Sequence, residues 1–273
     1  VVEAIVEILR VKQDVLGNVE KLVGSETVLA SNTSSLAVAD IAAPLQRAPN
    51  VVGMHFFNPV PVMSLVEVIR TDKTSDTALA TAVGYAVAIG KTPLVVKDCA
   101  GFLVNRLLGA YLAAFLRLVR EGADFAQIDR VMETWGMPMG PAYLSDVVGI
   151  DTLDKVMAIL GEAYPDVMGL EFDHAYNVCA REKRYGQKSG AGFFRYEADA
   201  KGKPNRANDS KSYELLKPAQ QNTVRDFSDE EILDRMLLAM ILEGGRCLDE
   251  KVVESAVELD AGMRLGAGSP PHH

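Results

Sequence analysis

The sequence is poor in cysteine, in positive charge and in long apolar runs. Its three cysteines, Cys99, Cys179 and Cys247, show no CxxC spacing, which argues against a disulfide framework and against a zinc site. The net charge of -9 argues against a nucleic-acid partner, which would require a basic face. Charged residues interrupt the apolar runs well before the ~20 residues of a membrane span, and no signal peptide is evident. We therefore expect a cytoplasmic globular protein with no metal site.

A glycine-rich phosphate turn is also missing. A dinucleotide-binding fold carries a GxGxxG turn after its first strand, so that the backbone can approach the pyrophosphate. The Gly-Ala-Gly at 266–268 follows no predicted strand and runs into Ser-Pro-Pro. The chain begins with Val1-Val2 inside a strand-like run and ends in Pro-Pro-His-His. We therefore expect a fragment, cut at both ends.

Strand-like and helix-like segments alternate over the first 98 residues. Such alternation is typical of βαβ units and of a mostly parallel sheet. In the helix at 8–23, apolar residues at steps of three and four predict a buried stripe of Ile8, Val11, Val15, Val19 and Leu22. The predicted strands are 1–7, 27–32, 51–57, 65–71 and 92–98, and a further helix is predicted at 75–90.

The pattern changes after Gly101, where helical segments follow one another without a convincing strand. A polar stretch at 196–212 reads as a loop. Residues 121–141 and 249–271 share an acidic helix followed by a Gly/Pro-rich turn, which suggests a duplicated helical unit. The fold class is thus α/β plus all-α. The predicted domains are an α/β domain at 1–98, a helical domain at 99–196, a linker at 197–227 and the start of a second helical repeat at 228–273.

One ionisable pair stands out in the α/β part. His55 lies near the end of a predicted strand, where ligands of open α/β sheets bind. Glu67 lies in the next strand between Val66 and Val68, and a buried carboxylate needs a partner. If the strands are neighbours, the carboxylate would fix the imidazole tautomer, and the pair would act as a proton-transfer dyad. The alternative is a buried histidine satisfied by a backbone carbonyl, with Glu67 on a solvated face.

Other polar residues allow a structural or a functional interpretation. Ser34 follows a strand, but it also suits a helix cap. Asn105 opens an apolar helix, where it could bond helix-end backbone. Glu7 and Lys12 flank the first strand and helix, where charged side chains are usually solvated.

Five motifs identify a family resemblance. They are ASNTSS (30–35), GMHFFNPVPVMSLVEVI (53–69), KDCAGFLVNRLL (97–108), PMGPAYLSDVVGIDT (138–152) and GQKSGAGFFRY (186–196). In their order and spacing the chain closely resembles the L-3-hydroxyacyl-CoA dehydrogenase family up to about residue 196. Residues 197–273 look like the multifunctional α subunit of the bacterial fatty-acid oxidation complex.

The resemblance implies a truncated NAD-binding Rossmann-type domain followed by the helical C-terminal domains of the family. It implies that His55 is the catalytic base, with Glu67 as its partner, and that Ser34, Asn58 and Asn105 contact the substrate. By the same resemblance Glu7, Lys12 and Ser34 lie near the nicotinamide of NAD. Because the glycine-rich turn is missing, this chain alone is expected to be inactive.

The implied reaction is the NAD-dependent oxidation of a 3-hydroxyacyl-CoA to a 3-oxoacyl-CoA in fatty-acid β-oxidation. The parent protein would also carry an enoyl-CoA hydratase/isomerase domain, assemble with a thiolase and self-associate through its helical domain. Two alternatives stay open. One is a helical assembly module without activity in this chain, and the other is a monofunctional 3-hydroxybutyryl-CoA dehydrogenase.

Overall fold

The computed structural model describes residues 1–198, 202, 204–221 and 225–270. They fall into two compact units. The first unit holds residues 1–107 and the C-terminal segment 243–270, and the second runs from Leu108 to Leu242. The sequence predicted a division near residue 98 and a separate repeat from residue 228, whereas the contacts group the C-terminal segment with the α/β part.

The first unit is built on a five-stranded sheet in the order β1-β2-β3-β4-β5. All neighbours are parallel except β3 and β4, which are antiparallel. This agrees with the predicted, mostly parallel α/β architecture. The strands are β1 (Val2–Glu3), β2 (Leu29–Ser31), β3 (Val51–Phe56), β4 (Leu65–Arg70) and β5 (Thr92–Lys97), and the helices among them are α1 (Leu9–Leu22), α2 (Val38–Ala42) and α3 (Asp76–Ala88).

Helix α3 covers one face of the sheet with small side chains. Ala78, Ala82 and Ala86 recur every four residues and are buried against the apolar side chains of β3 and β4. Alanine at these positions lets the helix backbone approach the sheet closely. The dense apolar layer fixes the strand pair that carries His55 and Glu67.

Two predictions for the N-terminal segment are wrong. The strand predicted at 1–7 is only Val2–Glu3, because the chain turns after it and Ile5 N–H donates to the Glu3 carboxylate. The predicted stripe of α1 is not its buried face: Val11 and Leu22 are 36% and 85% exposed. Its buried residues are instead Lys12, Leu16 and Glu20, whose charged groups have partners within the unit.

The C-terminal segment returns to the α/β part of the first unit. It holds the end of α11 (Asp229–Asp249), helix α12 (Ala256–Gly262) and a π-helical turn (Met263–Ala267). Lys97 N–H donates to Val252 O at 2.9 Å, which ties the end of β5 to this segment.

The second unit is mainly helical, as predicted, but it also contains a small hairpin. Its strands are β6 (Arg195–Ala198) and β7 (Pro204–Ala207). Tyr196 of β6 is buried and donates to Asp146, and the guanidinium of Arg206 on β7 lies over the ring of Phe194. The strand residues are mostly polar, so the hairpin escaped prediction. Helix α10 (Ser210–Leu216) and strand β7 occupy part of the predicted linker; residues 199–201, 203 and 222–224 of that linker lie outside the described residues.

The bounds after the sheet are α4 (Val104–Glu121), α5 (Phe125–Trp135), α6 (Pro141–Val148), α7 (Ile150–Ala163), α8 (Pro165–Met168), α9 (Ala175–Arg181), β6 (Arg195–Ala198), β7 (Pro204–Ala207), α10 (Ser210–Leu216) and α11 (Asp229–Asp249). Among the described residues, no helix combines the length and apolar character needed to cross a membrane. Within the same ranges, no group of three or more His, Cys, Asp and Glu side chains could hold a metal ion.

Candidate active site

His55 and Glu67 are direct cross-strand partners on the antiparallel strands β3 and β4. His55 Nδ1 lies 2.8 Å from Glu67 Oε2, and both side chains are buried. The predicted contact between the two residues is confirmed. Because adjacent valines fill the other face of β4, the strand presents a single carboxylate to the imidazole.

The second oxygen of Glu67 is held by the backbone. Glu67 Oε1 accepts hydrogen bonds from Leu103 N–H and Val104 N–H, each at 3.0 Å. These donors stand at the start of α4, directly after Gly101 and Phe102, which both have positive φ values of 73° and 53°. Two N–H donors on one oxygen stabilise the carboxylate and prevent it from rotating, so Oε2 stays directed at the imidazole.

Two aromatic rings pack against the His55 imidazole. The rings of Phe57 and Phe102 have centroids 4.5 Å and 5.7 Å from that of His55. With Glu67 accepting the proton on Nδ1, the neutral imidazole presents Nε2 as a base. The carboxylate can also stabilise the imidazolium that forms when Nε2 takes a proton. This arrangement can abstract a proton from a hydroxyl group.

A second group of predicted residues gathers at the carboxyl end of β2. Glu7 Oε1 accepts Ser34 N–H at 2.9 Å and Ser35 N–H at 3.1 Å, and Asn105 Nδ2 donates to Ser34 O at 3.3 Å. Burial alone would raise the pKa of Glu7, but Thr33 and these N–H donors lower it below its usual value. Ser34 is exposed, and its backbone is fixed from both sides, so its side chain is displayed on a rigid turn.

Lys12 is placed differently from what a ligand contact would require. Its side chain is fully buried, its Nζ lies 3.1 Å from both carboxylate oxygens of Glu3, and Glu7 Oε2 is 3.5 Å away. Ser31 Oγ also donates to Glu3. Lys12 therefore acts on the Ser34 turn through Glu7, and its predicted position beside the nicotinamide stays a prediction.

Asn58 is exposed just beyond β3 and precedes a cis peptide bond to Pro59. Asn32 and Phe102 were not among the predicted site residues. Asn32 Oδ1 accepts Phe56 N–H at 3.2 Å and so joins the ends of β2 and β3. A polar residue directly after an apolar strand could have drawn attention to Asn32, whereas the backbone donors at 103 and 104 leave no trace in residue type.

Two family profiles match the chain. The profile of the 3-hydroxyacyl-CoA dehydrogenase NAD binding domain matches residues 1–99, and that of the 3-hydroxyacyl-CoA dehydrogenase C-terminal domain matches residues 101–196. The site lies within the first profile and at the start of the second.

The chain is also similar to named proteins. It is 49% identical to the fatty acid oxidation complex subunit alpha of Pseudomonas aeruginosa over 99% of the chain and 38% of that protein. It is 37% identical to the crystal structure of (S)-3-hydroxybutyryl-CoA dehydrogenase from Ralstonia eutropha, with a TM-score of 0.67 over 72% of this chain and 70% of that one. The dehydrogenase part of multifunctional enzyme 1 from C. elegans is 32% identical, with a TM-score of 0.66 over 98% of this chain and 60% of that one. The chain thus spans less than half the length of the curated relatives that it matches.

Proposed function

This chain belongs to the 3-hydroxyacyl-CoA dehydrogenase family, and we propose from that premise that it carries the proton-transfer centre of an NAD-dependent dehydrogenase acting on 3-hydroxyacyl-CoA thioesters. The observation that carries the proposal is the buried contact of 2.8 Å between His55 Nδ1 and Glu67 Oε2. A buried imidazole held in one tautomer can act as the general base that removes a hydroxyl proton.

His55 Nε2 accepts the proton of the substrate's 3-hydroxyl group as that carbon becomes a carbonyl. Glu67 holds the imidazole in the Nδ1–H tautomer and stabilises the positive charge that arrives with the proton. Ser34 and Asn105 would bind the reacting oxygen region, and Asn58 would lie beside the dyad. The aromatic rings of Phe57 and Phe102 keep water away from the imidazole.

The cofactor implied by the family is NAD, which when bound would supply the hydride acceptor. The fit is partial for the residues present. Ser34 is displayed at the carboxyl end of β2 on a turn that Glu7 fixes, and ligands of open α/β sheets bind at such ends. Residues 1–99 contain no GxGxxG turn for the pyrophosphate. Ser34 and Glu7 would therefore serve the nicotinamide end alone, and we expect this chain by itself to be inactive.

The wider protein is proposed to act in fatty-acid β-oxidation in the cytoplasm. The similarity to the Pseudomonas aeruginosa subunit extends over 99% of the chain and so includes residues beyond 196, which favours a multifunctional protein over a monofunctional one. An enoyl-CoA hydratase/isomerase activity, a thiolase partner and self-association through the helical part belong to the same proposal.

The test is a histidine substitution in the complete protein that contains this chain. His55→Ala should lower kcat for 3-hydroxyacyl-CoA oxidation by ~10²–10⁴-fold, the usual contribution of a positioned general base. NADH formation followed by absorbance measures the rate, and circular dichroism verifies the fold.

The chain offers a matched control. His174 is also buried, but it belongs to the second unit, where its ring packs against those of Phe172 and Tyr176. His174→Ala should keep kcat within about threefold if it folds. A His55→Ala enzyme with the turnover of the control would disprove the assignment.

A further inference from the structure

The backbone donors of Glu67 sit at the start of a helix that a second set of charges holds in place. Arg106 lies on the first turn of α4, just after Leu103 and Val104, and it is almost fully buried. A buried guanidinium must have its charge and its donors satisfied. Its partners therefore determine where the first turn of α4 can lie.

Those partners come from the C-terminal segment of the first unit. Arg106 Nε donates to Glu243 Oε1 at 2.6 Å. Its two terminal nitrogens donate to Glu250, at 2.6 Å to Oε2 and 2.8 Å to Oε1. Arg246 donates to the other oxygen of Glu243 at 2.9 Å, so that this carboxylate is itself fixed. The Arg106 guanidinium holds the pKa of Glu250 below its usual range.

Apolar packing of the same segment also helps to hold the start of α4 in place. A Cβ at Gly262 would lie 2.7 Å from Leu103 Cδ2, and one at Gly266 would lie 2.8 Å from Val104 Cγ2. The segment therefore packs closely against the side chains of Leu103 and Val104, the two residues whose N–H groups bind Glu67. It lies beyond residue 196, where the second family profile ends.

We propose that Arg106 is a positioning residue, which through Glu243 and Glu250 holds the start of α4 so that Leu103 N–H and Val104 N–H stay on Glu67 Oε1. The C-terminal segment thereby controls how firmly Glu67 orients the His55 imidazole. This role rests on the proposed function only in what the dyad does; the hydrogen-bond chain itself can be tested without turnover.

The experiment is amide hydrogen exchange, followed by NMR, on the ¹⁵N-labelled 273-residue chain. Arg106→Lys keeps the positive charge but cannot engage both carboxylates with a planar fork. The amides of Leu103 and Val104 should exchange at least tenfold faster, whereas those of β3 and β4 should change less than twofold. The ring nitrogen signals of His55, one of four histidines in the chain, should shift as well.

The matched control is Arg181→Lys, since Arg181 forms a comparable fork of two 2.6 Å hydrogen bonds with Asp173 at the surface of the second unit. It should leave both readouts unchanged. Equal acceleration of all amides in Arg106→Lys would mean that Arg106 only stabilises the unit, and no acceleration would mean that it holds nothing; either result overturns the proposal.

A second variant decides the matter if Arg106→Lys does not fold. Glu250 is about half exposed, with a side-chain exposure of 51%, so that Glu250→Gln removes one partner with little risk to folding. It should speed exchange at Leu103 and Val104 by about threefold, with β3 and β4 unaffected. Unchanged exchange at both amides would overturn the proposal even if the His55→Ala test succeeds.

Discussion

Glu67 in the first unit and Asp146 in the second are both buried carboxylates that accept two successive backbone N–H groups. Asp146 accepts one donor on each oxygen: Phe193 N–H donates to Oδ1 and Phe194 N–H to Oδ2, both at 2.9 Å. Glu67 takes both donors on Oε1, and Oε2 is left for His55. The same local device therefore closes a loop in one unit and presents a reactive oxygen in the other.

Other carboxylates follow one pattern or the other. Asp129, Asp98 and Glu20 divide their paired donors between two oxygens, as Asp146 does. Glu7 follows Glu67, with the N–H donors on Oε1 and Oε2 turned towards Lys12. Carboxylates that take both backbone donors on one oxygen thus keep the other oxygen for a charged or titratable neighbour. In Asp146 and Asp129, by contrast, one oxygen is shared between a backbone donor and a side chain, Tyr196 or Arg206.

The largest expected effect comes from Glu67→Gln. The amide oxygen can keep the two N–H donors, but its NH₂ group then faces His55 Nδ1 and forces the Nε2–H tautomer, which is no base. We expect kcat to fall by ~10²–10⁴-fold with the fold intact. Stopped-flow detection of NADH in the complete protein measures it.

Asp146→Asn is the control for that substitution, because its carboxylate faces no imidazole. It should leave kcat within about threefold and lower only the stability of the second unit. If the two variants lose turnover equally, the distinction between the two carboxylates is wrong.

The next effect is on stability alone. A Cβ at Gly192 would lie 1.9 Å from Asp146 Oδ1, so Gly192→Ala must push the donor loop off the carboxylate. Overpacking combined with a lost buried hydrogen bond predicts a loss of ~3 kcal/mol in the free energy of unfolding. Urea titration followed through Trp135, the chain's single tryptophan, reports on the second unit.

Gly84→Ala provides the opposite control, since nothing lies within 4 Å of a Cβ there and the residue is exposed in α3. It should raise the stability of the first unit by ~0.5–1 kcal/mol, as glycine is replaced by a better helix former. Because Trp135 lies in the second unit, far-UV circular dichroism during the urea titration measures both variants. Similar losses in both variants would show that crowding at Asp146 is not the cause.

The smallest expected effect is a pH dependence. Burial raises the pKa of Asp146 from 3.8 to about 6, against the backbone donors and the Tyr196 hydroxyl, which lower it. The folded chain thus keeps a proton that the unfolded chain loses above pH 4, so the contribution of Asp146 to stability falls as the pH rises from about 4 to about 6. The loss relative to Asp146→Asn should be ~2 kcal/mol.

Paired urea titrations of wild type and Asp146→Asn at pH 4, 5, 6 and 7 measure this difference, which removes the effect of every other carboxylate. A difference that stays constant, or that grows in favour of wild type as the pH rises, would contradict the buried, proton-retaining environment of Asp146.

The sequence was sufficient for the alternation of strands and helices and for the meeting of His55 and Glu67. The dyad was predictable because an acidic residue between two valines in a strand demands a partner. The buried face of α1 was not predictable: Lys12 and Glu20 are polar, and they are buried only because Glu3 and the backbone at 46 and 47 lie opposite them. Contacts of this kind depend on the tertiary fold.

The hydrogen bonds to the second oxygen of Glu67 likewise could not be predicted from the sequence. Its donors are backbone groups, which every residue type except proline carries, and their direction depends on positive φ values at Gly101 and Phe102. The hairpin β6–β7 was not predicted for another reason: its strands are too polar to show an alternation of apolar and polar residues.

The antiparallel register of β3 and β4 has a consequence for how this chain can tolerate insertions and deletions. His55 meets Glu67 because the two residues are opposite in the ladder, with Phe56 opposite Val66 and Met54 opposite Val68. Since side chains alternate between the two faces, a one-residue deletion inside β4 would set a valine opposite the imidazole and turn the carboxylate to the other face. Changes of length in the connection at 60–63, beyond Phe57 and Asn58, leave the ladder untouched. Insertions or deletions in that loop are therefore compatible with the His55–Glu67 pair, whereas the insertion or deletion of a single residue within either strand is not.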